Sequence, residues 1–264
     1  MKRMLVAYDG TAFAGYAVQP GLRTVQGEIE AALERVVGEP VRVATAGRTD
    51  AGVHATGQVV SFPCPVAIDA PRVQGAVGSR LPDDISILDV QDAPDGFHAR
   101  HSCVGRSYVF LIWNHPSRHP LLDRYVVRED RPLDVNALDD AMRAMVGTHD
   151  FSSLARLRDD QEPVRTVLQA GAERDGDLIR IYVTARSFLH QMVRNMVGTA
   201  LEVGLGRRPV GWVDEVLASR DRAAAGQTLP PRGLTLVEAE YEDIDWPNRP
   251  APVGPWAAAV ARAI

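Results

Sequence analysis

Thr45–Ala55, read TAGRTDAGVHA, gathers the residue types from which a reactive loop can be built. Asp50 stands between Gly47 and Gly52, with Arg48 two residues before it and His54 four after. Glycine admits backbone angles that other residues resist and lets a ligand or another chain come close. Strand-like sequence flanks the stretch, Val41–Ala44 before it and Gln58–Phe62 after. Asp50 is therefore expected on a tight loop at the mouth of a sheet, where catalytic and binding groups are commonly placed. A carboxylate there can attack covalently and split one hard step into two. The alternative is an ordinary turn in which Thr49 and Asp50 bond their own backbone.

A second chemical signal lies far along the chain. Leu189, Met192, Val193, Met196, Val197, Ala200 and Leu201 predict a helix over 188–204, capped by Ser187 and apolar around most of its circumference. Such a helix is buried on most sides. Arg194 interrupts it, with His190 one turn earlier. Arginine cannot shed its charge, so inside a protein it needs an anion and several acceptors. Either its stem is buried while its head reaches water, or it is directed at a carboxylate in a cleft, for which Asp50 is the candidate.

The third signal is a strand, Cys103–Trp113, whose alternation puts Arg106, Tyr108 and Phe110 on one face. That face is either sheet core or a floor on which a base stacks.

The rest of the chain supplies the frame. Arg3–Tyr8 reads as a first strand. Thr24 caps a helix in which Val25, Ile29, Leu33 and Val36 recur at helical spacing, and Gly38 and Pro40 end it. Asp69 caps a second helix running to Leu81, and Ile85–Val90 follows as a strand. Asp134 caps a helix to Val146; Asp150–Leu154 reads as a loop. Val164–Arg174 and Leu178–Ala185 form a hairpin around Asp175-Gly176. Gly211–Ser219 is a short helix, and Leu234–Tyr241 the last strand. Strands thus interleave with helices in two halves, with no fixed-period repeat and no long linker. The expectation is an α+β protein of two similar α/β halves, residues 1–103 and 104–245. Their mostly antiparallel sheets join, helices lie on one side, and the cleft falls between the halves. Residues 246–264 form a tail.

Composition narrows the classes. The chain has 264 residues, 45% of them hydrophobic, with no run of apolar residues long enough to span a membrane and no signal-peptide pattern at its start. Cys64 and Cys103 imply no disulfide framework and fit a reduced, cytoplasmic setting. The net charge of −5 argues against a polyanion partner, yet where charges lie matters more than their sum. Lys2 is the only lysine, so nearly every cation is a guanidinium, the group that pairs with phosphate in bidentate geometry and stacks on bases.

Several blocks together resemble one family, the TruA-type tRNA pseudouridine synthases (tRNA pseudouridine synthase A). They are YDGTAFAGY (8–16), TVQGEIEAAL (24–33), AGRTDAGVHATGQVVSF (46–62), LPDDI (81–85), FHARHS (97–102), RSYVF (106–110), DFSS (150–153), SFLHQMVRNMVG (187–198) and GLTL (233–236). The resemblance implies the pseudouridine synthase fold. It also implies isomerisation of uridine to pseudouridine at tRNA positions 38 to 40, no cofactor, a homodimer, and tRNA as partner. Asp50 matches the family's catalytic aspartate and Tyr108 the tyrosine against the target base. Arg194 matches the arginine pairing with that aspartate, and Arg48 the arginine that enters the stem to displace the nucleotide. Leu234 and Leu236 resemble apolar pocket residues. Tyr16 and Gln191 depart from the tryptophan and histidine common at their positions.

Two other readings compete. His98 with His101, or His115 with His119, can be paired as metal ligands, but no CxxC or HExxH motif supports them. A non-catalytic RNA-binding module explains Tyr108, Phe110 and the arginines. It leaves an acid in a basic cleft without a role, because a carboxylate repels phosphate.

Overall fold

The computed structural model describes residues 1–64, 68–242, 244–247 and 249. In chain order the elements are β1 (Lys2–Tyr8), α1 (Val25–Val37), β2 (Ala44–Thr45), β3 (His54–Phe62), α2 (Ala70–Gly78), β4 (Ile85–Asp92) and β5 (Cys103–Trp113). There follow β6 (Val127–Arg128), α3 (Val135–Arg143), β7 (Gly147–Asp150), β8 (Val164–Asp175), β9 (Leu178–Ala185), α4 (Met192–Gly204), α5 (Trp212–Ser219) and β10 (Leu234–Tyr241). The class is α+β with mostly antiparallel strand pairing. Among the described residues the chain packs as two units, one of Met1–Arg106 with the segment that starts at Thr235, the other of Ser107–Leu234. The last strand therefore belongs with the first unit, whereas the chain-order division set it in the second half. Apart from residues 246, 247 and 249, the expected tail lies outside the described residues.

In the first unit the strands run β4-β1-β3-β10, with β2 beside β3. β1 is antiparallel to β3, Leu5 opposite Val59, and β10 is parallel to β3, Thr235 opposite His54. Alternate apolar residues bury one face: Leu5, Val59, Ala46, Phe97, Ala99, Cys103 and Ala239 form one cluster. α1 begins where the Thr24 hydroxyl accepts the Gly27 N–H and ends at Gly38, whose left-handed backbone closes the helix. Its Ile29 and Leu33 are fully buried.

In the second unit the order is β5-β9-β8-β7, with β6 beside β5. β8 and β9 make the predicted hairpin, Asp175 opposite Leu178. α3 packs on β8 and on α4, and Asp134 caps it through the Asn136 and Ala137 N–H groups.

Several boundaries differ from expectation. β3 starts at His54, not Gln58, so His54 belongs to a strand and not to the loop. The strand expected over Val41–Ala44 is only the two residues of β2. The 150–154 loop contains the end of β7, which pairs with β8, and a 3-10 turn over Ser152–Leu154. α2 and α3 stop at Gly78 and Arg143, because the residues beyond close tight i to i−3 turns such as Arg80 N–H to Val77 O and Val146 N–H to Arg143 O. The largest correction concerns α4. Its apolar pattern begins at 188, but Gln191 adopts φ 62°, the Met192 N–H bonds the Leu189 carbonyl, and the His190 carbonyl accepts the Arg156 N–H. The backbone leaves helical geometry there, so Ser187 caps nothing and Arg194 lies in the first turn of α4, not its middle.

Candidate active site

The acid loop of the first unit is braced from below by buried polar groups. The Ala46 N–H bonds Val59 O at 2.9 Å. Fully buried Gln58 donates to the Gly47 carbonyl at 2.7 Å and to the Tyr8 hydroxyl at 3.3 Å, and accepts the Gly47 N–H at 3.4 Å. The Tyr8 hydroxyl also meets the Thr49 hydroxyl at 2.8 Å. Burial pushes the Tyr8 phenol up to about 12, against the opposing pull of its Thr49 and Gln58 bonds. The backbone closes over this base: the Val53 N–H takes the Asp50 carbonyl, and the Tyr16 N–H takes that of Thr49. Gly52 turns at φ 77°, and Gly15, at φ 108°, lets its segment approach so near that a Cβ there would stand 3.1 Å from the Thr49 carbonyl oxygen.

This bracing determines what is presented. Thr49 is buried, Asp50 half-buried and Arg48 exposed. Three successive side chains thus anchor, present a carboxylate and offer a guanidinium. His54, four residues on, is buried with Nδ1 accepting the Gly10 N–H at 3.0 Å.

Arg106 takes a different part from the one its strand face suggested. It is buried, and its guanidinium donates to the carbonyls of Ala46, Cys103 and Arg100 at 2.9 to 3.2 Å. Satisfying three backbone acceptors makes it a tie for the segment leading into the acid loop.

The second unit contributes Tyr108, Arg194 and Leu234. Phe110 is wholly buried and belongs to the core, whereas Tyr108, 8% exposed, meets the ring of half-buried Phe188 edge-on at 5.1 Å. An edge-to-face pair of this kind fixes the tyrosine ring plane. Arg194 is half-buried; its Nε donates to the Leu229 carbonyl at 2.7 Å, and the Leu229 N–H bonds the Arg194 carbonyl at 3.4 Å. No side chain caps α4 at its start, so the positive end of the helix and a guanidinium coincide, a place that favours an anion. Leu234 and Leu236 are both buried. The structure thus sets Arg48 and Asp50 on one loop, and Tyr108, Arg194 and Leu234 within the other unit.

Sequence reasoning missed Gln58, Tyr8 and Phe188. A glutamine in the strand QVVSF was a signal for the first, since a buried amide must bond something. Two of the histidines considered for metal use one ring nitrogen within their own segments. His98 Nδ1 accepts the Arg100 and His101 N–H groups, and His115 Nδ1 that of Ser117. Among the described residues no three His, Cys, Asp or Glu side chains gather as a metal site.

The acid loop and the arginine turn both fall inside segments, residues 4–102 and 141–242, that match a family model described as tRNA pseudouridine synthase. The chain belongs to that family and is an isomerase. Tyr108 lies between the two matched segments. Three relatives called tRNA pseudouridine synthase A align over almost all of the chain. That of Geobacillus kaustophilus is 41% identical over 91% of this chain and 94% of its own. The Brevibacillus brevis protein is 43% identical over 91% and 100%, and the Shigella boydii protein 40% over 95% and 93%.

Proposed function

We propose that this protein isomerises uridine to pseudouridine at positions 38, 39 and/or 40 of the tRNA anticodon stem-loop, with Asp50 as nucleophile. The observation that carries the proposal is the half-buried carboxylate on a loop rigidly braced by Tyr8, Thr49 and Gln58, inside a segment matching the family.

The target nucleotide is first extruded from its stack, with Arg48, exposed beside the acid, taking its place. The Asp50 carboxylate bonds to the substrate as the bond between uracil N1 and ribose C1′ breaks. The uracil turns, C5 joins C1′, the carboxylate is released, the C5 proton departs, and the freed N1 takes up a proton. Tyr108 lies against the base, its plane held by Phe188. By the family's pattern, Arg194 is the cation assigned to the catalytic carboxylate and Leu234 an apolar residue assigned to the base. Because the reaction is an internal rearrangement, it calls for no redox group, nucleotide or metal. The working form is a homodimer in the cytoplasm, acting on tRNA. No helix among the described residues is long and apolar enough to cross a membrane.

Tritium release from C5-labelled uridine in unmodified tRNA tests the reading. The wild-type protein should release tritium from substrates carrying uridine at one or more of the three sites. Asp50→Asn should stop release while tRNA affinity stays within a few-fold. No release from any of the three by the wild-type protein overturns the proposal.

A further inference from the structure

The segment following α5 folds back onto α4. A Cβ at Gly198 would overlap the Gln227 carbonyl, and one at Gly226 the Gly198 carbonyl, so segment and helix meet backbone to backbone. The Gly226 N–H donates to the Thr199 hydroxyl at 3.1 Å. Between them lies Asn195, wholly buried. Its Nδ2 donates to the Leu154 carbonyl at 3.0 Å. Its Oδ1 accepts from the Thr228 hydroxyl at 2.6 Å and from Arg222 Nη2 at 3.0 Å. Arg222 Nη2 also reaches the Thr228 hydroxyl at 2.9 Å. The next residue after Thr228 is Leu229, whose carbonyl receives Arg194 Nε.

We propose that Thr228 is a positioning residue for Arg194. Its hydroxyl pins the segment to Asn195, which fixes the Leu229 carbonyl, which in turn sets the plane of the guanidinium. A hydrogen-bonded network anchored on a buried amide holds geometry more tightly than its single bonds would, and a guanidinium with its Nε–H bonded cannot rotate about its stem without losing that bond. The effect on turnover rests on the function proposed above; the effect on Arg194 does not.

Thr228→Val keeps the shape and removes the hydroxyl, Thr228→Ser keeps the hydroxyl, and Thr228→Ala serves if the valine variant does not fold. Two measurements are made on the full chain. The first is kcat and KM from tritium release. The second is solvent exchange of the Arg194 Nε–H by nuclear magnetic resonance, its signal assigned as the one missing in Arg194→Lys. In Thr228→Val, kcat should fall about tenfold through misplacement of a reacting-centre group, with KM within twofold. The Arg194 Nε–H should exchange several-fold faster, and Thr228→Ser should behave as wild type in both. In the Arg194→Lys background, which lacks Nε–H, Thr228→Val should cause no further loss of kcat. Wild-type exchange in Thr228→Val, or an equal loss of kcat in the Arg194→Lys background, overturns the inference. A wild-type protein without turnover would sink the functional reading alone, and exchange would still decide whether Thr228 orients Arg194.

Discussion

At the scale of single residues, the acid is only as useful as the hydroxyl and amide beneath it. Tyr8 is buried, and its phenol is held neutral with its upward shift to about 12. A folded-state value raised above the ordinary 10 means that the stability it contributes is complete below pH 10 and is lost as pH climbs through about 12. Wild-type thermal unfolding temperature should therefore drop steeply over that window, with Tyr8 accounting for roughly 2–3 kcal/mol. Tyr8→Phe should flatten the slope and, at neutral pH, cost about 1–2 kcal/mol for the hydrogen bonds lost around Thr49 and Gln58. An identical slope in both proteins would refute the assignment. Buried Tyr16 and half-buried Tyr241, both shifted upward chiefly by desolvation, add to the slope in either background. Residue types alone singled out Asp50 and Arg194 as candidates, since an acid flanked by glycines and a guanidinium in an apolar run both demand explanation. Thr228 left no comparable mark. It reads as one more polar loop residue, because its importance arises from a helix more than thirty positions earlier that comes to lie beneath it.

Among the elements, caps and turns were the most readable features. Thr24, Asp69 and Asp134 all receive the helix N–H bonds their positions imply. Asp175-Gly176 closes the hairpin between β8 and β9. The start of α4 was not legible, because hydrophobic periodicity runs on through Phe188 and Leu189 while the backbone turns at Gln191. Periodicity records which side chains are buried, and an irregular segment pressed into a core is buried too. The same helix carries the element-scale prediction. Adding one methyl in Gly198→Ala forces α4 away from the Gln227 backbone, which cannot yield as a side chain tip can. We expect a loss of about 1–3 kcal/mol, read as a lower unfolding temperature. At permissive temperature, kcat should fall through displacement of the Leu229 carbonyl. Unchanged stability would show that the two backbones are less closely packed than described.

For the molecule as a whole, charge is distributed in a way its sum conceals. The single lysine, Lys2, is buried against Asp92 at 2.7 Å, so every exposed cationic side chain among the described residues is arginine or histidine. If about three of these guanidiniums neutralise tRNA phosphates, KM for tRNA should rise about 20- to 40-fold between 50 and 200 mM salt, with kcat little changed. A salt-independent KM would locate the binding energy elsewhere. The bipartite plan was readable from alternating strand and helix patterns, but the destination of β10 was not, because nothing in LTLVEAEY names its neighbour. That destination matters while the protein is being made. β10 completes the edge of β3 at His54 and Ala55, yet the ribosome reaches it only after the entire second unit. At about 5–20 residues per second the nascent first unit waits roughly six to twenty-seven seconds with that edge uncovered. Through this interval it is open to mispairing with other nascent chains, and the late synthesis of β10, more than any local folding event, sets when the acid loop's sheet is finished.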